Sequence, residues 1–319
     1  TATAFLQYQK TFNKNHDINL MAGYEQFYYN TNATYASKMG MMDFSITDLE
    51  SASEMYQINP YDSNDPDKWA ERDYAMLSYF GRANYGYKNK YLFEFSFRYD
   101  ASSRFGADTR WGFFPSLSGG WVISEENFMQ NAKNIIQRLK LRGSWGKLGT
   151  IPDGYYAWQA NYTQTGAYYS FGNKVYNGLM TDRLGNFGLK WENSNTWDIG
   201  LEAMFLNRRL SAEIGYYNRL TEGIITNPSI YNTMGTVKAP YRNTSDMRNQ
   251  GIELTLGWRD NIGDFSYSVN VNASYNHNKV VKYKGKLIEN WVDDNGTKKY
   301  SSNIGQVADF NGNGIRVEG

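Results

Sequence analysis

Cysteine is absent from the 319 residues, so neither a disulfide scaffold nor a thiolate site can be built from this chain. Equally absent is any run of the roughly 18 apolar residues that a membrane-spanning helix needs. Charge of one sign is lacking too, because 33 basic and 32 acidic residues leave a formal net charge of +1. Nucleic-acid binders usually carry a clear basic excess, so no nucleic acid is expected as a partner. The amino-terminal stretch has neither the basic segment nor the apolar core of a signal peptide, and reads as carrying none. Histidine is scarce: His16 and His277 sit in turn-like surroundings with no second ligand nearby in sequence, so no metal site is expected at either. Asp43, Asp48, Glu50 and Glu54 are grouped without a nucleophile motif, which reads as a solvated face. No enzyme and no cofactor are expected.

Aromatic residues are abundant instead. They make up 17% of the chain, including 27 Tyr and 9 Trp, a composition favoured at membrane interfaces but also on carbohydrate-binding surfaces. Their placement is more informative than their number. Tyr91, Phe93, Phe95, Phe97 and Tyr99 alternate with Leu92, Glu94, Ser96 and Arg98, the period of a strand with one apolar and one largely polar face. Trp197, Ile199, Leu201, Ala203 and Phe205 repeat the pattern, as do Phe265, Tyr267, Val269, Val271, Ala273 and Tyr275. A soluble sandwich would hide such faces in a core, whereas a transmembrane barrel would show them to lipid and turn the polar faces to its lumen.

Along the chain, two strands surround a polar turn at Asn13-Lys14-Asn15-His16-Asp17, and Tyr87-Lys88-Asn89-Lys90 turns into the aromatic strand. Leu206-Asn207-Arg208-Arg209 joins the clearest hairpin, Asn195 to Asn218, and Asp260 to Asp264 joins another. A polar loop is read from Asp100 to Arg110, and a short helical turn over 124–136. Three long excursions, 30–70, 150–190 and 221–246, alternate with the short turns. The first is read with one short helix near Asp48 to Met55, the second with a short strand near Tyr155 to Tyr162. Short turns on one side and long loops on the other are the asymmetry of outer-membrane barrels, which makes these three excursions candidate extracellular loops. The fold expected is all-β: an antiparallel transmembrane β-barrel, partial, with ten to twelve strands represented and a polar tail after Lys279.

At the level of motifs the chain resembles the SusC/RagA family of TonB-dependent outer-membrane transporters of Bacteroidota. The resemblance is carried by Phe80-Gly81-Arg82-Ala83-Asn84-Tyr85, Phe97-Arg98-Tyr99-Asp100-Ala101-Ser102-Ser103-Arg104-Phe105-Gly106 and Phe114-Pro115-Ser116-Leu117-Ser118-Gly119-Gly120-Trp121. Leu139-Lys140-Leu141-Arg142-Gly143-Ser144-Trp145-Gly146, Leu189-Lys190-Trp191-Glu192, Asn249-Gln250-Gly251-Ile252-Glu253-Leu254 and Asn276-His277-Asn278-Lys279-Val280 continue it in order. The resemblance implies a 22-stranded barrel around an amino-terminal plug, a TonB-contacting segment before it, and a SusD-like lipoprotein lidding it outside. It implies import of an oligosaccharide or peptide through the outer membrane. Neither a plug, a TonB box nor carboxy-terminal strands are recognised, so the chain reads as an incomplete, central barrel section over 1–319. A passive porin and a soluble or surface β-sheet glycan-binding module are the alternative readings.

Three groups of residues carry site expectations. Glu94, Arg98, Lys140, Arg142, Asp198, Glu202, Glu213, Glu253 and Arg259 share the polar parity of their strands, and form either a plain polar wall or a substrate path. Tyr155, Tyr156, Trp158, Tyr162, Tyr168 and Tyr169 either stack on a sugar or peptide, or pack the loops and a lid protein. Asp309, Asn311, Asn313 and Gly314 match the opening of a calcium loop but read as an Asx-rich turn.

Overall fold

In the computed structural model the described residues are 1–31, 72–152, 154–163, 168–172, 174–228 and 237–283, with the backbone of short strands at 37–39, 54–56, 289–294 and 297–302. Ten strands form one antiparallel sheet in which every strand pairs with its neighbours in sequence order. They are β1 (Ala2–Phe12), β2 (His16–Thr31), β3 (Arg72–Tyr87), β4 (Tyr91–Ser102) and β5 (Trp111–Val122), then β6 (Ile136–Thr150), β7 (Glu192–Phe205), β8 (Leu210–Thr226), β9 (Arg242–Ile262) and β10 (Phe265–Tyr283). Such a meander puts all odd-to-even links at one end and all even-to-odd links at the other. The first end holds the tight turns 13–15, 88–90, 206–209 and 263–264, with two short 3₁₀ segments at Ile123–Glu125 and Asn127–Ala132. The second end holds 32–71, 103–110, 151–191 and 227–241.

The register fixes which side chains share a face. Leu20, Ala83, Phe95 and Leu117 lie along one row, and Leu141, Leu201, Ile214, Leu254 and Ala273 along another, all on the same face. That face is uncovered: Leu6, Phe93, Ile214 and Val271 are 83%, 47%, 48% and 52% exposed. Among the described residues no second sheet or helix packs on it, as a membrane barrel requires and a soluble sandwich does not. No helix there is long and apolar enough to cross a membrane.

Aromatics bound this apolar face in two rows with constant separation. His16 and Tyr24, Tyr87 and Tyr79, Tyr91 and Tyr99, Trp121 and Phe113, Phe205 and Trp197, and Tyr267 and Tyr275 are each eight positions apart on their strand. Eight residues extend about 27 Å along a strand, and a tilt of about 40° reduces this to roughly 21 Å, close to the apolar band of an outer-membrane barrel. Rings of neighbouring strands meet along these rows: Tyr99 stacks on Trp111 at 4.6 Å and Tyr24 meets Tyr79 at 5.5 Å, while at the turn end His16 lies 4.8 Å from Tyr87. The sheet is thus a partial antiparallel transmembrane β-barrel with its lipid-facing band marked at both interfaces.

Several boundaries differ from the sequence reading, for one physical reason. β9 has 21 residues, about 70 Å of strand, so it projects well beyond the apolar band. Outside the band both faces are wet, alternation disappears, and pairing continues without it. The excursion read as 221–246 is therefore only 227–241, because Thr226 still pairs with Arg242. β4 likewise runs through Asp100 to Ser102, so the loop read from Asp100 starts at 103, and β10 continues past Lys279 to Tyr283. Near Tyr155 to Tyr162 the chain is mostly turn, and the short strand falls at Asn161–Thr163, paired with Met180–Arg183. The helix read near Asp48 to Met55 lies mostly outside the described residues, and its end, Glu54–Tyr56, is a strand paired with Ser37–Met39. Asp43, Asp48, Glu50, Asp309, Asn311 and Asn313 lie outside the described residues.

At the turn end Glu126 ties the wall to the 3₁₀ segment. Its carboxylate accepts from Tyr91 Oη at 2.7 Å, Trp121 Nε1 at 3.1 Å and Lys90 Nζ at 3.3 Å. The Tyr91 bond, then those of Trp121 and Lys90, hold its pKa below the ordinary carboxylate range. A depressed folded-state pKa contributes stability that is present above the unfolded value, about 4.3, and is lost as pH falls through the folded one. Protection of 123–135 against hydrogen exchange, relative to the intrinsic rate at each pH, is therefore expected to fall once the pH drops below the ordinary carboxylate range. Glu126→Gln should flatten that acid limb. An unchanged acid limb in the variant would refute the assignment.

Candidate functional site: the polar wall and the packed loop end

The polar face carries a row with almost no side chains. Gly120 of β5, Gly200 of β7 and Gly215 of β8 align with Arg142 of β6. The guanidinium lies flat over Gly200, where a Cβ would be 3.0 Å from Cζ. From that bed Arg142 reaches across three strands: Nη1 to Asp198 at 2.9 Å, Nε to Glu202 at 3.4 Å and Nη2 to Glu213 at 2.7 Å. Lys140 joins Glu202 at 3.1 Å, and Ser144 donates to Asp198. A second node forms on Arg98, which meets Asp100 at 3.3 Å, Glu25 at 3.6 Å and Ser78 Oγ at 2.9 Å.

The structure therefore brings Lys140, Arg142, Asp198, Glu202 and Glu213 together and sets Arg98 apart. Glu94, Glu253 and Arg259 form no ion pair among the described residues. A wall cavity of about 560 Å³ lies beside the network, lined by Lys140, Arg142, Ser144, Asp198, Asn84 and Glu94 among others. Mixed charge of this kind offers hydrogen bonds of both polarities.

Because the Arg142 side chain is 35% exposed, each pair is discounted toward surface values. Arg142→Met is expected to cost about 1–2 kcal/mol, since three carboxylates lose a shared cation. Adding Glu213→Gln should recover part of that loss. Urea unfolding from lipid vesicles measures both, and strict additivity would show that the residues are not coupled.

The loop end holds the described hydrophobic core: Phe105, Phe114, Ala157, Leu189 and Trp191. Trp191 sits 4.9 Å from Phe105 and 5.1 Å from Phe114, and its Nε1 donates to Arg110 O at 3.1 Å. The Arg104 guanidinium lies over Tyr74 at 4.3 Å and over Tyr155 at 4.5 Å, and donates to Pro152 O at 2.8 Å. Tyr156 Oη donates to Asp73 at 3.2 Å, and Trp158 packs on Phe187 at 5.4 Å. Burial, then Asp73, pushes the Tyr156 phenol up. Asn186 donates to Tyr241 O at 2.7 Å, which brings in the third link.

Tyr155, Tyr156 and Trp158 are thus packing residues. Tyr162 and Tyr169 stay 67% and 54% exposed on short hairpins, beside exposed Phe171 and Tyr176. The side chain of Tyr168 lies outside the described residues. Sequence reasoning missed Arg104 and Trp191 as organisers, and also missed the glycine row, whose signal was glycine recurring at polar-face parity. His16 Nδ1 is hydrogen-bonded to Tyr85 Oη at 2.8 Å.

Residues 1–317 match the family described as TonB dependent receptor-like, beta-barrel. The chain belongs to this family. It is 33% identical over 288 residues to the TonB-dependent receptor SusC of Bacteroides thetaiotaomicron, a match covering 88% of this chain and 27% of that protein. It is 30% identical over 281 residues to the TonB-dependent receptor P3 of Formosa agariphila, covering 87% of this chain and 27% of that one. Among solved structures, it resembles the RagAB peptide importer in its open-open state with a TM-score of 0.77 and 26% identity, over 94% of this chain and 32% of that one. The chain therefore spans about a quarter to a third of the proteins it matches. These relatives are receptors and transporters, not enzymes, and the family is an outer-membrane one. In a receptor barrel the polar wall with Arg142 faces the lumen.

Proposed function

We propose that this chain is wall and loop structure of an outer-membrane importer that takes up an oligosaccharide or peptide, driven by TonB and lidded by a SusD-like lipoprotein. The observation that carries the reading is the two-faced sheet: an uncovered apolar band between aromatic rows, backed by a charged, hydrogen-bonding wall. RagAB's description as a peptide importer supports the peptide arm, and the exposed loop-end aromatics suit either ligand. The links 32–71, 151–191 and 227–241 would face outward and meet the ligand and the lid. Import would follow from a shift between closed and open states rather than from bond chemistry.

Extraction of the native protein from outer membranes in detergent tests the assembly, with intact mass and co-purifying proteins as readouts. A mass far above 36.7 kDa with a bound lipoprotein is expected. A detergent-independent 36.7 kDa monomer would sink the proposal. Uptake of labelled oligosaccharide and peptide pools should cease in cells lacking TonB, and uptake that persists there would point to a passive porin.

A further inference from the structure

The tight turns place cations where the backbone favours glycine. Lys14 has φ +59°, Lys88 +51° and Arg208 +64°, each next to an asparagine also in the left-handed region: Asn13, Asn89 and Asn207. A side chain with a Cβ is disfavoured there, and the fourth tight turn takes the ordinary solution, Gly263 at +59°. Three independent hairpins thus accept backbone strain and keep a positive charge at the same end of the sheet.

These charges are not spent internally. Among the described residues Lys14, Lys88 and Arg208 have no ion pair, whereas Glu126, Glu125 and Asp260 of the same end are held by Lys90, Lys133 and Arg209. Among the described residues Asp17, which accepts from Thr11 Oγ1, and Asp264 are acids of this end left without one. For Lys88, and for Lys10 beside the first turn, the direction of reach is also visible. Lys88 Nζ lies 5.3 Å over the Tyr87 ring and Lys10 Nζ lies 4.9 Å over Phe12, and both rings belong to the lipid-facing parity. Exposed Ile262, Phe265, Leu206 and Ile135 extend that apolar surface up to the turns.

We propose that the turn end is a binding belt for acidic phospholipid headgroups of the adjoining leaflet, with Lys14, Lys88 and Arg208 as its phosphate contacts. Aromatic rings seat the acyl–headgroup boundary, and cations above them meet the phosphates, the arrangement in which long basic side chains snorkel. Continuity with the lipid-facing band favours lipid over a protein partner. The proposal rests on that band meeting lipid.

The test uses the native protein in uncharged detergent, offered phosphatidylglycerol and phosphatidylcholine of equal chain length, with retained lipid counted by native mass spectrometry. Lys14→Gly, Lys88→Gly and Arg208→Gly together remove the charge while easing the backbone, so loss of lipid cannot be blamed on misfolding. The native protein should retain phosphatidylglycerol preferentially, and the triple variant should lose at least tenfold of that preference, at about fivefold per cation before screening. Lys174→Gln, at the opposite end, should change nothing. Equal retention of the two lipids, or undiminished preference in the variant, overturns the proposal. So does loss of a co-purifying acidic protein with lipid retention intact. Retention of neither lipid would overturn the lipid-facing band as well.

Discussion

Trp191→Ala is expected to loosen the whole loop end, at a cost of about 3–5 kcal/mol for truncating a buried aromatic. Trp191 is only 6% exposed and is pressed between Phe105 and Phe114. Those two rings come from the 103–110 link and from β5, while Trp191 itself ends the 151–191 link. Removing the indole opens a cavity that three separate backbone segments line, and none can collapse without moving the others. It also removes one of the two donors to Arg110 O, which keeps the Ser102 N–H at 3.2 Å. Hydrogen exchange should show lost protection at 103–110 and 154–160 together, with the membrane-spanning parts of β3 and β4 unaffected. Trp191→Phe separates the two terms: it keeps the ring contacts and loses only the hydrogen bond, for about 1 kcal/mol. If Trp191→Ala left loop protection unchanged, the view of the loop end as one cooperative unit would fail.

Within the apolar band, the sequence was enough to place the strands. Residues such as Tyr91 to Tyr99 face lipid on one side and water on the other, so a period of two is imposed on every position. Beyond the band that constraint lapses. Leu220 to Thr226 and Arg242 to Asp246 have no alternation, yet they pair because a neighbouring strand offers the donors and acceptors. Alternation also could not choose between a sandwich and a barrel, since both ask for one apolar face. That choice needed the observation that, among the described residues, Leu6, Ile214 and Val271 stay exposed.

The site was legible to a lesser degree. Parity alone put Lys140, Arg142, Asp198, Glu202 and Glu213 on one face. Which of them meet depends on register, fixed between β7 and β8 by the Leu206–Arg209 turn and between β6 and β7 by their ladder, and on the side-chain-free row through Gly120, Gly200 and Gly215 that lets Arg142 lie flat. Nothing local marks a glycine as a bed for a distant guanidinium. The loop aromatics were harder still: Tyr155 packs under Arg104 only because links far apart in sequence converge.

Val271 and Asn272 allow the lipid-facing assignment to be tested one residue apart. Val271 stands midway between Tyr267 and Tyr275, at the centre of the band, and is 52% exposed on the uncovered face. Asn272 is exposed on the opposite face, opposite Thr255 of β9. In a membrane barrel Val271→Arg places a guanidinium at the hydrocarbon midplane, which costs about 2–4 kcal/mol. Asn272→Arg puts the same group against a wet lumen wall and should stay within about 0.5 kcal/mol of the parent. Strand propensity, which favours Val over Asn by no more than about 1 kcal/mol, is too small to produce a gap of about 2–4 kcal/mol, because the introduced side chain and the strand are shared. Folding of each variant into vesicles, followed by urea titration, reads the gap. Equal effects would mean that this face does not meet lipid. A larger effect from Asn272→Arg would reverse the orientation of the wall and, with it, the assignment of Arg142 to the lumen.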